Sequence, residues 1–233
     1  ARTLPGDGAT GKFDVRANAL VERREYDPGT KRVSAGRVSD TVTGEATRYS
    51  AKLIFLCAST VGSTQILLNS TQADSDISFA NESGALGRYM MDHTYRAGAR
   101  GIIPGFEEYY PYGNRPNGIY IPRFRIVNGD DGLGFTRGYG YQGSAGRLSW
   151  DTMSKVTPGF GADFKEGLRK PGPWYMSLGG FGEILPYAHN SMALHKGKKD
   201  RFGIPQVTFH FEFGENEKSH REDVVKPTGA MLE

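Results

Sequence analysis

Apolar residues fall at every second position from Phe13 through Val15, Ala17 and Ala19 to Val21. That period predicts a half-buried strand within Lys12 to Glu25. Asp27-Pro28-Gly29-Thr30 predicts a turn, because proline presets φ and glycine tolerates positive values. Val33 to Val38 is the expected return strand, Thr43-Gly44-Glu45 a second turn, and Thr47 to Lys52 a third strand. Together they make a small antiparallel meander. Leu53-Ile54-Phe55-Leu56-Cys57-Ala58 is different, being apolar without alternation. Such a run is expected of a strand buried on both faces, as in a parallel sheet covered by helices. Ala58-Ser59-Thr60 then reads as a tight turn, with Thr60 as the cap of a helix over Val61 to Asn69. A buried strand, a small-residue turn and a helix form half of an α/β nucleotide-binding unit, and ligands sit at the carboxyl ends of such strands.

From Thr94 onward Tyr, Phe, Gly and Pro crowd the sequence and helical periodicity fades. Strands are expected at Tyr95 to Ile103, Gly118 to Val127, Gly134 to Gln142, Trp174 to Leu185, Ser191 to Lys196 and Gln206 to Phe213. They suggest one antiparallel sheet with a single buried face. Met153 to Arg169 is mixed, with a short helix near Phe160 to Leu168. Asn216 to Glu233 reads as a helix that Pro227 should kink or restart. The fold class is therefore α/β (α+β): an α/β part with a β-meander over 1–93, then an antiparallel-sheet domain with a C-terminal helix over 94–233.

Composition narrows the choices. The 233 residues suffice for a core without staples, and the 32 glycines and 12 prolines follow no short period, which fits many turns and excludes collagen. The net charge is +3, and Lys196, Lys198 and Lys199 read as a solvated loop, so nucleic acid is not an expected partner. No apolar run approaches the roughly 18 residues of a membrane span. The first residues lack the apolar centre of a signal peptide. Cys57 stands alone, so an internal disulfide is impossible, and cytoplasm and periplasm both stay open. His and Cys do not occur at metal-ligand spacing, and G-x-S-x-G is absent.

Three blocks carry more. Leu53 to Ser70 reads LIFLCASTVGSTQILLNS, Asn81 to His93 reads NESGALGRYMMDH, and Glu183 to Pro205 reads EILPYAHNSMALHKGKKDRFGIP. The first resembles the second signature of the glucose-methanol-choline (GMC) family of flavoenzymes at Ser59, Thr60, Ser63, Leu67, Leu68 and Ser70. It departs at Thr64, where the family often has Pro, and at Thr71 and Gln72, where it has Ser-Gly. The second resembles the family's Asn-x-Ser-Gly-x-x-Gly-Arg-x-x-Met-Asp-His block, which leads into the substrate domain. The third is similar to its Glu-x-x-Pro, Asn-x-Val-x-Leu, Asp-x-x-Gly-x-Pro series, with Met192 at the place of Val.

The resemblance implies an FAD-dependent oxidoreductase acting on CH–OH groups of sugars or related alcohols, with hydride passing to the flavin. It makes 1–93 a partial FAD-binding domain and 94–233 a substrate-binding domain. It assigns Val21, Ala58 and Ser59 to the cofactor, Val21 through its main chain. Asn81, Gly87, Asp92 and His93 mark the crossover to the substrate domain. Asp92 beside His93 can fix a histidine tautomer, and its expected role is to order the crossover. The family's G-x-G-x-x-G, which seats the FAD pyrophosphate on a helix N-terminus, is not found opening a βαβ unit: Gly6-Asp7-Gly8 and Gly11 lack a preceding strand and a following helix. Its catalytic His, paired with a second His or an Asn, is expected beyond Glu233. The chain therefore reads as a middle piece that associates with the remaining parts of such an enzyme, is inactive alone and binds FAD weakly or not at all. His189, His195, His210 and His220 are expected as strand, turn or helix-surface residues. Tyr109, Tyr110, Tyr112, Trp150, Trp174 and Tyr175 are candidates for stacking on sugar faces. The electron acceptor stays open. The contrasting reading is a non-catalytic carbohydrate-binding or interaction module.

Overall fold

The computed structural model describes residues 3–71, 80–94, 97–110, 118–129 and 132–233. Gln72, Tyr95 and Tyr112, named above, lie outside them. Helices and antiparallel sheets mix in an α+β fold. The chain divides into two compact units, Ala1–Met90 with Tyr187–Phe211, and Met91–Pro186 with Glu212–Glu233.

In the first unit, α1 (Thr3–Ala9) is exposed along its length. The meander follows as β1 (Ala19–Asp27), β2 (Arg32–Asp40) and β3 (Ala46–Ser50), in the order β1-β2-β3. The β1–β2 turn is held by Asp27, whose Oδ1 accepts the Gly29 N–H at 2.9 Å. Strand β1 starts later than the alternation suggests. Phe13 and Val15 lie outside it and are 41% and 63% exposed. The helix after the apolar run is α2 (Ser59–Leu68), with Ile66 buried. Its N-cap is Ala58, without a side-chain hydrogen bond, so Thr60 is not the cap. Two bonds fasten the C-terminal end of α2 to β1: Arg24 N–H donates to Ser70 Oγ at 2.8 Å, and Asn69 Nδ2 donates to Glu22 O at 3.0 Å.

Leu53 to Ala58 is not a strand, and Leu53 and Phe55 are 77% and 84% exposed. The expected parallel strand is thus corrected: every ladder among the described residues is antiparallel, and none takes up this run. A strand exists only where another backbone accepts its hydrogen bonds, whatever its side chains favour.

The hairpin β8 (Ser191–Lys199) and β9 (Pro205–His210) completes the first unit and forms its own two-stranded sheet, not part of the larger one. Lys196, Lys198 and Lys199 stand exposed on β8 instead of in a loop. Its turn is closed by Asp200, whose Oδ1 accepts the N–H groups of Phe202 at 2.8 Å and Ile204 at 2.9 Å.

The second unit is built on a sheet ordered β4 (Ala97–Ile103), β7 (Trp174–Phe181), β6 (Gly140–Arg147), β5 (Ile119–Ile121). Strands β5 and β7 are shorter than the sequence suggests, and β6 begins at Gly140 where Gly134 was expected. Two short helices, α3 (Trp150–Val156) and α4 (Gly161–Arg169), join β6 to β7; only α4 was legible. Helix α5 (Glu215–Leu232) runs through Pro227 and covers one sheet face. Ala97, Phe135, Tyr139, Tyr141, Leu178 and Val224 form the core there.

The buried stripe of α5 is Glu217, His220, Val224 and Thr228, at helical spacing but mostly polar. Each polar member finds at least one local hydrogen-bond partner. Glu217 Oε2 accepts the Gly214 N–H at 2.9 Å and its Oε1 accepts the Leu185 N–H at 3.0 Å. His220 is 1% exposed, which corrects its placement on the helix surface. Its Nδ1 lies 3.0 Å from Thr94 Oγ1, and its ring meets Tyr139 edge-on at 4.8 Å. Nε2 has no hydrogen-bond partner and abuts Gly182, where a Cβ would lie 2.1 Å from it. An unpaired lone pair costs less than an unpaired N–H, so the Nδ1–H tautomer is the one this pocket favours. Burial holds the imidazolium below its ordinary range.

Candidate functional site

Side chains alternate across a sheet, so the register fixes what each face presents. Gly180 packs on Val224 of α5, which puts Ala97, Tyr141, Leu178 and Gly180 on the covered face. The opposite face carries two cross-strand rows. Arg100, Ser177 and Ser144 form one, and Gly98, Gly179 and Gln142 the other. Tyr120 extends the second row opposite Gln142 and is 66% exposed. An open cleft of about 740 Å³ lies here, and Phe181 is its aromatic edge. Floor positions without side chains, hydroxyl and amide groups around them, and one guanidinium give a surface that can hydrogen-bond a small polar ligand.

His93 and Asp92 stand at one end of this face. His93 pairs with Glu183 in an isolated antiparallel bridge, and Ile184 N–H donates to Asp92 O at 3.0 Å. The His93 ring lies edge-on to Phe181 with centroids 6.1 Å apart. Asp92 Oδ1 accepts the His93 N–H at 2.7 Å and lies 3.3 Å from its Nδ1. These two bonds, the main-chain one first, hold the Asp92 carboxyl below its ordinary range. The pair orients the exposed His93 ring beside Phe181. Glu183 is ion-paired with Arg137, which also borders a second cleft of about 470 Å³ lined by Phe135, Thr136 and Asn216.

Asn81, Gly87, Val21, Ala58 and Ser59 belong to the first unit. Asn81 Oδ1 accepts the Leu86 N–H at 2.9 Å and shapes the block that ends at His93. Gly87 has φ +77°, and a Cβ there would lie 2.3 Å from Met192 O, so only glycine fits. Its carbonyl accepts the Met192 N–H at 2.6 Å. Val21 sits in β1 opposite Val38 and is 38% exposed. Ala58 and Ser59 open α2, at the end opposite to its bonds with β1. Ser59 adopts φ 66°, a left-handed conformation that costs a non-glycine residue about 1 kcal/mol or more. Helix α2 begins without a side-chain cap at its N-terminus. Gly6 and Gly8 lie within α1 and Gly11 in the turn after it, and the next element is strand β1, so these glycines do not lead from a strand into a helix N-terminus.

The other histidines have local roles. His195 Nδ1 accepts the Lys198 N–H at 2.9 Å, and His189 stacks on Tyr187 at 5.3 Å. Groups of three or more His, Cys, Asp or Glu placed to hold a metal are absent among the described residues. Trp174 and Tyr110 are engaged with Arg147, whose guanidinium lies over both rings. Sequence reasoning did not single out Arg100, Gln142, Ser144 or Ser177. Only strand register brings them onto one surface.

No protein-family model matches the chain. The chain is similar to a 2-methyl-1,2-propanediol dehydrogenase of Mycolicibacterium austroafricanum, with 28% identity over 209 residues. The match takes in 88% of this chain and 37% of the length of that dehydrogenase. It reaches into both units.

Proposed function

We propose that this chain is part of an FAD-dependent oxidoreductase of the GMC type, acting on CH–OH groups of sugars or related alcohols. The observation that carries the reading is the 28% identity along 88% of the chain to a protein named as a diol dehydrogenase. The Asn81 to His93 block supports it, since it combines an Asp-His pair with a glycine that no other residue can replace. FAD, when bound, supplies the hydride acceptor. Val21 and the Ala58–Ser59 turn offer main-chain contacts to it. The face of Gly98, Gln142, Ser144, Ser177 and Gly179 offers donors and acceptors for substrate hydroxyls. Within this reading the catalytic base and the pyrophosphate seat belong to other parts of the enzyme.

The test uses the intact protein that contains this chain, purified without added flavin. Its absorbance spectrum is recorded before and after anaerobic addition of 2-methyl-1,2-propanediol or D-glucose. Bound flavin that bleaches with either alcohol supports the proposal. A colourless protein that takes up no FAD, yet retains carbohydrate, would overturn it in favour of a binding module.

A further inference from the structure

Among the described residues the open sheet face carries one cation, Arg100, and two acidic groups at its end are already engaged. Asp92 is bonded to His93, and Glu183 is ion-paired with Arg137. Arg100, exposed on β4, has no ion pair among the described residues. It stands in line with Ser177 and Ser144, and beside a row that begins with two glycines. A Cβ built on Gly179 would meet only ordinary contacts at 3.8 Å and 3.9 Å, both to main-chain oxygens. At Gly179 the face beside the guanidinium is therefore floored by backbone, with no side chain over it among the described residues.

We propose that this face binds small polyhydroxylated carboxylates, with Arg100 as the residue that selects the acid over the neutral alcohol. The inference deepens the flavoenzyme reading by naming the substrate class, and it rests on that reading for turnover but not for binding. A planar guanidinium takes a carboxylate through two parallel N–H···O bonds, which a neutral hydroxymethyl group cannot match. With the acid end on Arg100, the carbon chain lies over Gly98 and Gly179. Its hydroxyls then reach Ser177, Ser144 and Gln142 in turn. Three adjacent strands span about 10 Å, the reach of a short polyol acid. A neutral diol uses the same hydroxyl groups and leaves the guanidinium to water, so it binds this face more weakly.

The experiment is calorimetric titration of the intact protein with D-gluconate and with D-glucitol, which share a carbon skeleton and differ at the acid end. Gluconate is expected to bind at least about tenfold more tightly. Arg100→Gln is expected to abolish that difference and leave glucitol unchanged, while Arg100→Lys retains part of it. Added sodium chloride is expected to weaken gluconate alone. Equal affinity for the two ligands, or unchanged gluconate affinity in R100Q, would overturn the proposal. So would acetate binding as tightly as gluconate, which would reduce the face to a general anion site. If R100Q does not fold by circular dichroism, R100K and the salt series decide. Flavin content read in the same samples separates the two readings. A yellow protein that ignores gluconate loses this inference alone, and a colourless one that prefers gluconate through Arg100 loses the flavoenzyme reading alone.

Discussion

The contact between Gly182 and His220 can be broken from either side. A methyl group at residue 182 would lie 2.1 Å from His220 Nε2 and 2.3 Å from Cε1. Ordinary carbon contact is about 3.5–4.0 Å, so the ring must move by more than 1 Å or the strand must yield. The ring has little room, with Phe135 edge-on at 5.3 Å and Tyr139 at 4.8 Å. Moving it also stretches the 3.0 Å bond to Thr94 Oγ1. Overpacking of this kind costs about 1–3 kcal/mol and the hydrogen bond about 1 kcal/mol more, so Gly182→Ala should destabilise by about 2–4 kcal/mol. His220→Ala should cost a similar amount by leaving a cavity. In the double variant the new methyl enters space the ring has vacated, so its loss should fall short of the sum by about 1–3 kcal/mol. Urea denaturation of the purified protein and its three variants measures this cycle. Melting should drop by about 5–15 °C for each single variant. Additivity within about 0.5 kcal/mol would refute the reasoning, because it would mean that the two positions do not touch.

Burial keeps His220 neutral in the folded chain, while the unfolded chain takes up a proton below about pH 6.5. The carboxylates of Glu217 and Asp223 oppose this shift and Arg221 adds to it. The stability it provides is full above that pH and is lost as pH falls below it, so urea midpoints measured across that range should slope downward toward acid and flatten in His220→Gln. Gly87→Ala adds a left-handed φ of +77° to a 2.3 Å approach on Met192 O, and should cost about 2 kcal/mol or more by the same assay.

Local grammar carried much of the first unit. The Asp27-Pro28-Gly29 turn specifies its own bonds, and turn residues on either side of β2 mark out the meander better than the alternation from Phe13 does. Leu53 to Phe55 shows the limit of such reading. An apolar run states how much burial a segment wants, but the backbone that would pair with it is not encoded in that run. Helix α5 shows another limit. Its buried stripe is Glu217, His220, Val224 and Thr228, and a search for apolar period sees one of the four. The polar three are buried because Gly214, Leu185, Thr94 and Val224 happen to supply partners, which only the tertiary structure reveals. The open face of the sheet was illegible for a related reason. Arg100, Gln142, Ser144 and Ser177 belong to three strands and form no linear motif.

The two units are threaded through one another along the chain, as Ala1–Met90, then Met91–Pro186, then Tyr187–Phe211, then Glu212–Glu233. During synthesis neither unit can close when its first stretch has emerged. The meander and α2 must wait for the β8–β9 hairpin while the whole of the four-stranded sheet is made. That sheet in turn waits, with its core face uncovered, until α5 leaves the ribosome. At ordinary rates of translation these delays are on the order of seconds, long compared with the formation of a hairpin or a helix. Neither unit is complete until its last stretch is made, so termination anywhere before α5 leaves the Tyr139–Tyr141–Leu178 surface bare for chaperones or for aggregation.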